Sequence, residues 1–308
     1  MTLYKQATII GFGLIGSSVA RALRENGVCE IIVACDADPD CLAKVQELKL
    51  ADRCSGDAAE AVRGSDLVVL ATPVGTYGDI GKAIAPSLDF GTTVTDVGSV
   101  KGCVLKALQP VLPEHVHLIP GHPVAGTEQS GPEAGFASLF AGRWAILTPP
   151  EDTDPDALKK LTRMWEAFGS KVEVMTPEHH DLVLAITSHI PHLIAYNIVG
   201  TAHDLEGVTD SEVIKFSAGG FRDFTRIAAS DPTMWRDVFL NNKEAVLEML
   251  GRFSEDLTAL QRAIRWGDGE TLFNLFSHTR DVRKQIIEAG QDEEAPDFGR
   301  PHDTATRK

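Results

Sequence analysis

A doubly wound, mostly parallel α/β sheet followed by an all-helical region is the architecture this sequence predicts. Three observations carry it. Short apolar runs alternate with amphipathic stretches through the first half, a glycine turn joins the first run to the first stretch, and strand-like patterning stops near residue 175. Alternation of this kind builds parallel sheets, because each crossover needs a helix to bring the chain back.

The runs ATIIG (7–11), IIVAC (31–35), DLVVLA (66–71), TVTDV (93–97), VHLIPG (116–121), RWAILT (143–148) and KVEVM (171–175) read as strands. Most are continuously apolar, as strands covered on both faces are. Stretches 14–26, 39–49, 75–86, 100–109 and 155–169 read as helices. Thr176-Pro177 then starts a helix, with Thr as cap and Pro in the first turn, and Asp231-Pro232 repeats the device. Beyond it Trp235, Phe239, Val246, Leu250, Phe253, Leu257, Leu260 and Ile264 recur at helical spacing. They predict one helix of about thirty residues, about 45 Å long. GDGE (267–270) turns the chain into a further helix over 270–289. A stripe that long outruns what a small helical domain covers, so a homodimer built on these helices is expected.

At 308 residues two domains are the natural division: 1–175, 176–290, and a polar, aperiodic tail over 291–308 predicted to be disordered. Apolar residues make up 43% and charged residues 24%, the balance of a soluble globular protein, and no apolar run approaches a membrane span. The first residues lack the zones of a signal peptide, so a cytoplasmic protein is expected. Five cysteines without CxxC or Cys/His zinc spacing read as reduced thiols, with no metal site. A net charge of −15 argues against nucleic acid or an anionic membrane as partner. An anionic small-molecule substrate would need a local cationic pocket.

Gly11-Phe-Gly13-Leu14-Ile15-Gly16 follows the first strand and opens the first helix. In that context GxGxxG is the Rossmann dinucleotide fingerprint: Gly11 permits the turn, Gly13 lets backbone approach a pyrophosphate, and Gly16 lets helix pack on strand. Asp36 stands 20 residues past Gly16, where a carboxylate binds ribose hydroxyls. The following DADPD would repel a 2′-phosphate, which favours NAD over NADP. Thr72-Pro73, after the third strand, sits beside the cofactor crevice in such a fold.

Two polar loops follow strand ends, DVGSVK (96–101) and GHPVAGTEQSG (121–131); SHIPHL (188–193) and GGFRDFTRIAASDPTMWRD (219–237) come from the helical half. His189 and His192 share a helical face, as do Arg222 and Arg226 if that segment is helical. The arginines could equally answer Asp223 and Asp231, and a single histidine is more often a satisfied core residue than a catalyst. Convergence near a nicotinamide site shifts that balance.

Together, GxGLIGxS, DVGSVK, GHPVAGTExSG, SHIPH and GGFRDFTRIAASDPxMWRD resemble the prephenate/arogenate dehydrogenases of tyrosine biosynthesis, over about residues 7 to 288. The resemblance implies NAD-dependent oxidative decarboxylation, with His122 taking the proton of the substrate's ring hydroxyl and Ser99 hydrogen-bonding the same hydroxyl. It implies that Arg226 binds a substrate carboxylate, that His192 lies near the substrate side chain with His189 supporting it, and that Thr127 and Glu128 border the pocket, Glu128 as a gate. It leaves prephenate and arogenate undistinguished. Some relatives carry a chorismate mutase or regulatory domain; this chain is too short for either and reads as monofunctional, with any tyrosine feedback acting at the active site. The alternatives are another hydroxyacid or imine dehydrogenase, and a catalytically silent NAD-binding dimer. The first class relies on a helical lysine in a glycine-rich motif that this sequence lacks.

Overall fold

The computed structural model describes residues 2–127, 129–206 and 215–288. Six parallel strands form the main sheet: β1 (Tyr4–Ile10), β2 (Cys29–Cys35), β3 (Arg53–Ser55), β4 (Leu67–Leu70), β5 (Thr93–Asp96) and β6 (His117–Leu118). Their order is β3-β2-β1-β4-β5-β6, so the chain reverses direction of travel between β1 and β4. That switch point leaves a crevice at the carboxyl ends of the strands. Helices α1 (Leu14–Glu25), α2 (Pro39–Glu47), α3 (Ala58–Ala61), α4 (Tyr77–Ile84) and α5 (Gly102–Leu108) make the crossovers. The central strands are wholly buried, Leu67–Leu70 and Thr93–Asp96 included, as their sandwiched position requires.

In the strands, two details differ from what the sequence predicts. The short β3 was missed, since RCS carries too little pattern to register. The run 116–121 was read as one strand but splits: β6 ends at Leu118, and β7 (Gly121–Pro123) joins a separate sheet with β8 (Trp144–Leu147) and β9 (Lys171–Val174). In that sheet β7 runs antiparallel to β8, and β8 parallel to β9. Pro120 lies between the two sheets, where a missing N–H and a fixed φ suit a strand change. Helix α6 (Pro155–Ala167) packs behind this layer through Leu161, Met164 and Trp165.

The helical half begins with α7 (Pro177–Leu184), capped by Thr176, whose side chain accepts from His179 N. A π turn over Ala185–His189 carries it into α8 (Ile190–Glu206). Within the continuous helical run Pro177–Leu205 an 18-residue window reaches a mean hydropathy of 1.5, enough by length and composition to cross a membrane. Ser188, His189, His192 and Asn197 interrupt its apolar residues, which is why they do not register in the sequence as one unbroken run. Then come α9 (Gly219–Thr225), α10 (Pro232–Asn241), α11 (Lys243–Trp266) and α12 (Gly269–Ile286). The expected thirty-residue helix is thus two. It breaks at Asn242, whose backbone leaves the helical region (φ −110°, ψ 35°) and whose side chain turns inward to donate to Asp181 O at 2.8 Å. The tail over 291–308 lies outside the described residues.

Candidate active site

The glycine turn has the geometry a dinucleotide needs. Gly11 has φ +96°, and a Cβ there would meet the Ala71 carbonyl at 2.8 Å. A Cβ on Gly16 would overlap the Gly11 carbonyl oxygen, whereas Gly13 faces open space. Side-chain oxygens cap α2, α3, α6, α7, α10 and α12; nothing caps α1, and its first turn carries no acidic residue. Its free N–H groups therefore stand ready for phosphate oxygens. Asp36, just past β2, accepts from Phe12 N at 2.8 Å, which ties the second strand to the turn.

Asp36 borders one cavity with Asp38, Asp40, Cys41, Lys44 and Glu133. Lys44 is a residue the sequence reading passed over. Among the described residues it is the one cation on this wall, and it is held by Glu47 at 2.9 Å and Glu133 at 3.0 Å. A ribose fits this acid-rich wall; a 2′-phosphate meets three aspartates and a lysine already paired twice.

Around the corner of Gly13, a second cavity of about 530 Å³ runs from the glycine turn to the helical half. The first half contributes Gly13, Leu14, Ile15, Thr72, Pro73, Ser99, His122 and Thr127 to its walls. Ala229, Ser230, Asp231, Pro232, Met234 and Val238 close it from the helical half. Glu128 lies outside the described residues.

Arg226, His192 and His189 do not line this cavity; the two histidines pack on Trp235 beside it. Arg226 opens the 3₁₀ turn that ends in Ala229, and its charge helps to hold His192 below the ordinary imidazole value, after burial. His192 donates from Nδ1 to Ser188 O at 2.8 Å and stacks on Trp235 at 3.7 Å between ring centres. His189 meets the same indole edge-on at 6.0 Å, and its Nδ1 lies 3.1 Å from Asn242 Nδ2. Burial brings His189 down to about 4. Arg222 is exposed and pairs with Asp223 at 3.1 Å, so the two arginines do not act as one cluster.

Beneath the cavity floor lies a polar network that motif reading did not assemble. Lys101 and Asp96 are both fully buried and paired with each other. Lys101 Nζ also donates to Gly121 O at 2.7 Å, while Asp96 accepts from Gly121 N at 3.1 Å and Gly98 N at 2.8 Å. The pair thereby fixes the loop of Ser99 against the strand of His122. His122 is 7% exposed, and its Nδ1 lies 2.8 Å from His180 Nε2. Burial, with His180 and Lys101 adding to it, holds His122 well below 6.5, so the imidazole is neutral at neutral pH. Lys101 stood in the quoted motif, but His180, 58 residues from His122, gave no sign of its partner in sequence.

Comparison with known proteins agrees with this geometry. A model of the prephenate dehydrogenase nucleotide-binding domain matches residues 19–174, and one of the prephenate dehydrogenase dimerization domain matches 176–278. The chain is 42% identical to the cyclohexadienyl dehydrogenase of Zymomonas mobilis over 92% of its own length and 96% of that protein's. It is 33% identical to the prephenate dehydrogenase of Bacillus subtilis, over 89% and 74% of the two lengths. The structure of prephenate dehydrogenase from Aquifex aeolicus with hydroxyphenyl propionate and NAD+ superposes with a TM-score of 0.85 at 37% identity, covering 92% of this chain and 98% of that one. With both halves matched by family models and a relative 42% identical over 92% of its length, the chain belongs to the prephenate dehydrogenase family.

Proposed function

We propose that the chain is an NAD-dependent dehydrogenase of tyrosine biosynthesis, converting prephenate to 4-hydroxyphenylpyruvate, arogenate to tyrosine, or both, with release of CO₂. The observation that carries this reading is one cavity walled by the uncapped glycine turn, Ser99 and a neutral, buried His122.

The nicotinamide, when bound, supplies a hydride acceptor. The chain's own residues do the rest. His122 accepts the proton of the ring hydroxyl at C4 as that carbon gives up its hydrogen; a neutral imidazole suits the task. Ser99 orients the hydroxyl. Loss of the C1 carboxylate as CO₂ then yields the aromatic ring. Arg226, whose planar fork matches two carboxylate oxygens, holds a substrate carboxylate, with His192 and His189 setting the wall beside the side chain and Thr127 and Glu128 bordering the entrance. Gly11, Gly13, Leu14, Ile15, Gly16, Asp36, Thr72 and Pro73 hold NAD, and the paired Lys44 favours it over NADP.

The same reading has the protein act in the cytoplasm as a homodimer joined through α11 and α12. Support for the dimer is the apolar surface of those helices: Ile264 is 67% exposed, Trp266 73%, Phe273 71% and Phe276 57%. One assay tests the function: NAD⁺ or NADP⁺ against prephenate or arogenate, followed at the reduced-nicotinamide absorbance. Reduction with NAD⁺ and at least one substrate is the expected result, and none with either substrate overturns the proposal.

A further inference from the structure

His180 is fully buried and Asp181 nearly so, yet neither side chain lines the cavity. They stand at the start of α7, in the helical half, and reach into the first half in two directions. Asp181 Oδ1 accepts from Lys101 N at 2.8 Å and Oδ2 from Gly102 N at 2.9 Å. One carboxylate thus caps α5, which has no cap of its own, directly behind the Ser99 loop. Asp181 Oδ1 also lies 2.8 Å from His180 Nδ1, and His180 Nε2 lies 2.8 Å from His122 Nδ1.

The proton positions follow from this chain. Burial works to raise Asp181, but the hydrogen bonds from His180, Lys101 N and Gly102 N outweigh it and keep the carboxyl ionised. An ionised carboxylate only accepts, so His180 Nδ1 carries a hydrogen. His180 is neutral, hence its Nε2 offers a lone pair, and His122 Nδ1 must donate to it. His122 Nε2 is left as a lone pair at the cavity.

We propose that Asp181 and His180 are positioning residues that fix His122 in the one tautomer able to accept a proton from substrate. The proposal rests on the reading of His122 as base. In turnover the substrate O–H bond breaks and an N–H bond forms at His122 Nε2. The imidazolium keeps its Nδ1–H on His180, with the Asp181 carboxylate behind that ring, and returns the Nε2 proton to water once product has left. The other groups facing the relay are Lys101, Asp96 and His189. Lys101 disfavours the imidazolium, which makes a carboxylate on the far side more necessary.

Asp181→Asn is the sharpest test. An amide puts no charge behind the imidazolium and, turned with its oxygen on Gly102 N, donates from its NH₂ to His180 Nδ1. His180 then donates from Nε2 to His122, whose Nε2 must carry a hydrogen. We expect kcat to fall at least 100-fold with KM for NAD⁺ and substrate within threefold. We expect His180→Leu to lose a similar amount, and His180→Gln, which still offers an oxygen to His122 Nδ1, to recover at least tenfold of it. Nitrogen-15 spectra of histidine-labelled protein give a readout independent of activity. Hydrogens on Nδ1 of both His122 and His180 in the wild type, and on Nε2 of both in Asp181→Asn, support the relay. A wild-type hydrogen on His122 Nε2, kcat within threefold in Asp181→Asn, or equal losses in both His180 variants overturns it. A wild type inactive on both substrates with the expected spectra would sink the functional reading and leave the tautomer assignment standing.

Discussion

The two halves of the molecule bury themselves very differently. In the first half, α1 hides Leu14, Val19, Ala22 and Leu23 against a sheet whose strands are covered on both sides. In the second, α12 has no buried residue along its whole length, and α11 buries only Val246, Met249 and Ala263. The first half closes on its own core. The second keeps its polar business inward, toward His189, His192 and Trp235, and leaves large apolar side chains outside. Leaving such a surface in water is costly at ~25 cal/mol per Å², and the homodimer proposed above would cover it with a second copy of the chain. What differs is where each half finds the surface it needs.

The contrast can be broken most severely at the base. His122→Asn should keep NAD binding and lose about 10²–10⁴-fold in kcat, the usual worth of a general base; comparable turnover would remove His122 from the mechanism. Next comes the charge inside the sheet half. Lys101→Met strands the buried Asp96 carboxylate, and thermal or urea unfolding should show a loss of about 3–5 kcal/mol. An equivalent charge removal at exposed Arg252 on α11, paired with Glu248 at 2.8 Å, should cost under about 0.5 kcal/mol.

Acid should act on the junction between halves, where His122, His180, His189 and His192 all sit below their ordinary 6.5 because of burial. Unfolded, these rings bind protons near pH 6.5; folded, they stay neutral to lower pH, His189 to about 4. The unfolded state therefore binds more protons in that window, and stability present above pH 6.5 drains away as pH falls toward 4. His189 alone accounts for roughly 3 kcal/mol at the lower end. A denaturant midpoint independent of pH across this range would contradict the burial of neutral rings.

Arg226→Ala should mainly raise KM for substrate, by the equivalent of about 1.5–3 kcal/mol of charge-assisted binding; an unchanged KM would take Arg226 out of the site. The mildest change on the folded chain is Phe273→Asp, which touches no core and should shift monomer stability within about 0.5 kcal/mol. Its effect should appear in sedimentation instead: the wild type dissociates on dilution, and the variant is monomeric throughout. A monomeric wild type at high concentration would remove the dimer.

What could be read from sequence follows the same division. The sheet was legible because continuous apolar strands and GxGxxG are local signals, each complete within a few residues. The splitting of 116–121 between two sheets was not, since both pieces are apolar and only register tells them apart. In the helical half the stripe from Trp235 to Ile264 kept its period through Asn242, where a side chain leaving the helix to reach Asp181 ends one helix and starts another. Histidines in quoted motifs were visible. His180 was not, because its meaning lies wholly in a partner 58 residues away.

The π turn over Ala185–His189 has one more consequence. It slips the angular phase of the rod midway, so α7 and α8 cannot be described by a single helical wheel. Before the turn the rod directs His180 at His122, and after it His192 at Trp235. Adding or deleting one residue in the regular helix on either side of it would swing everything beyond by about 100°. Length, more than chemistry, is therefore the quantity this segment can least afford to vary.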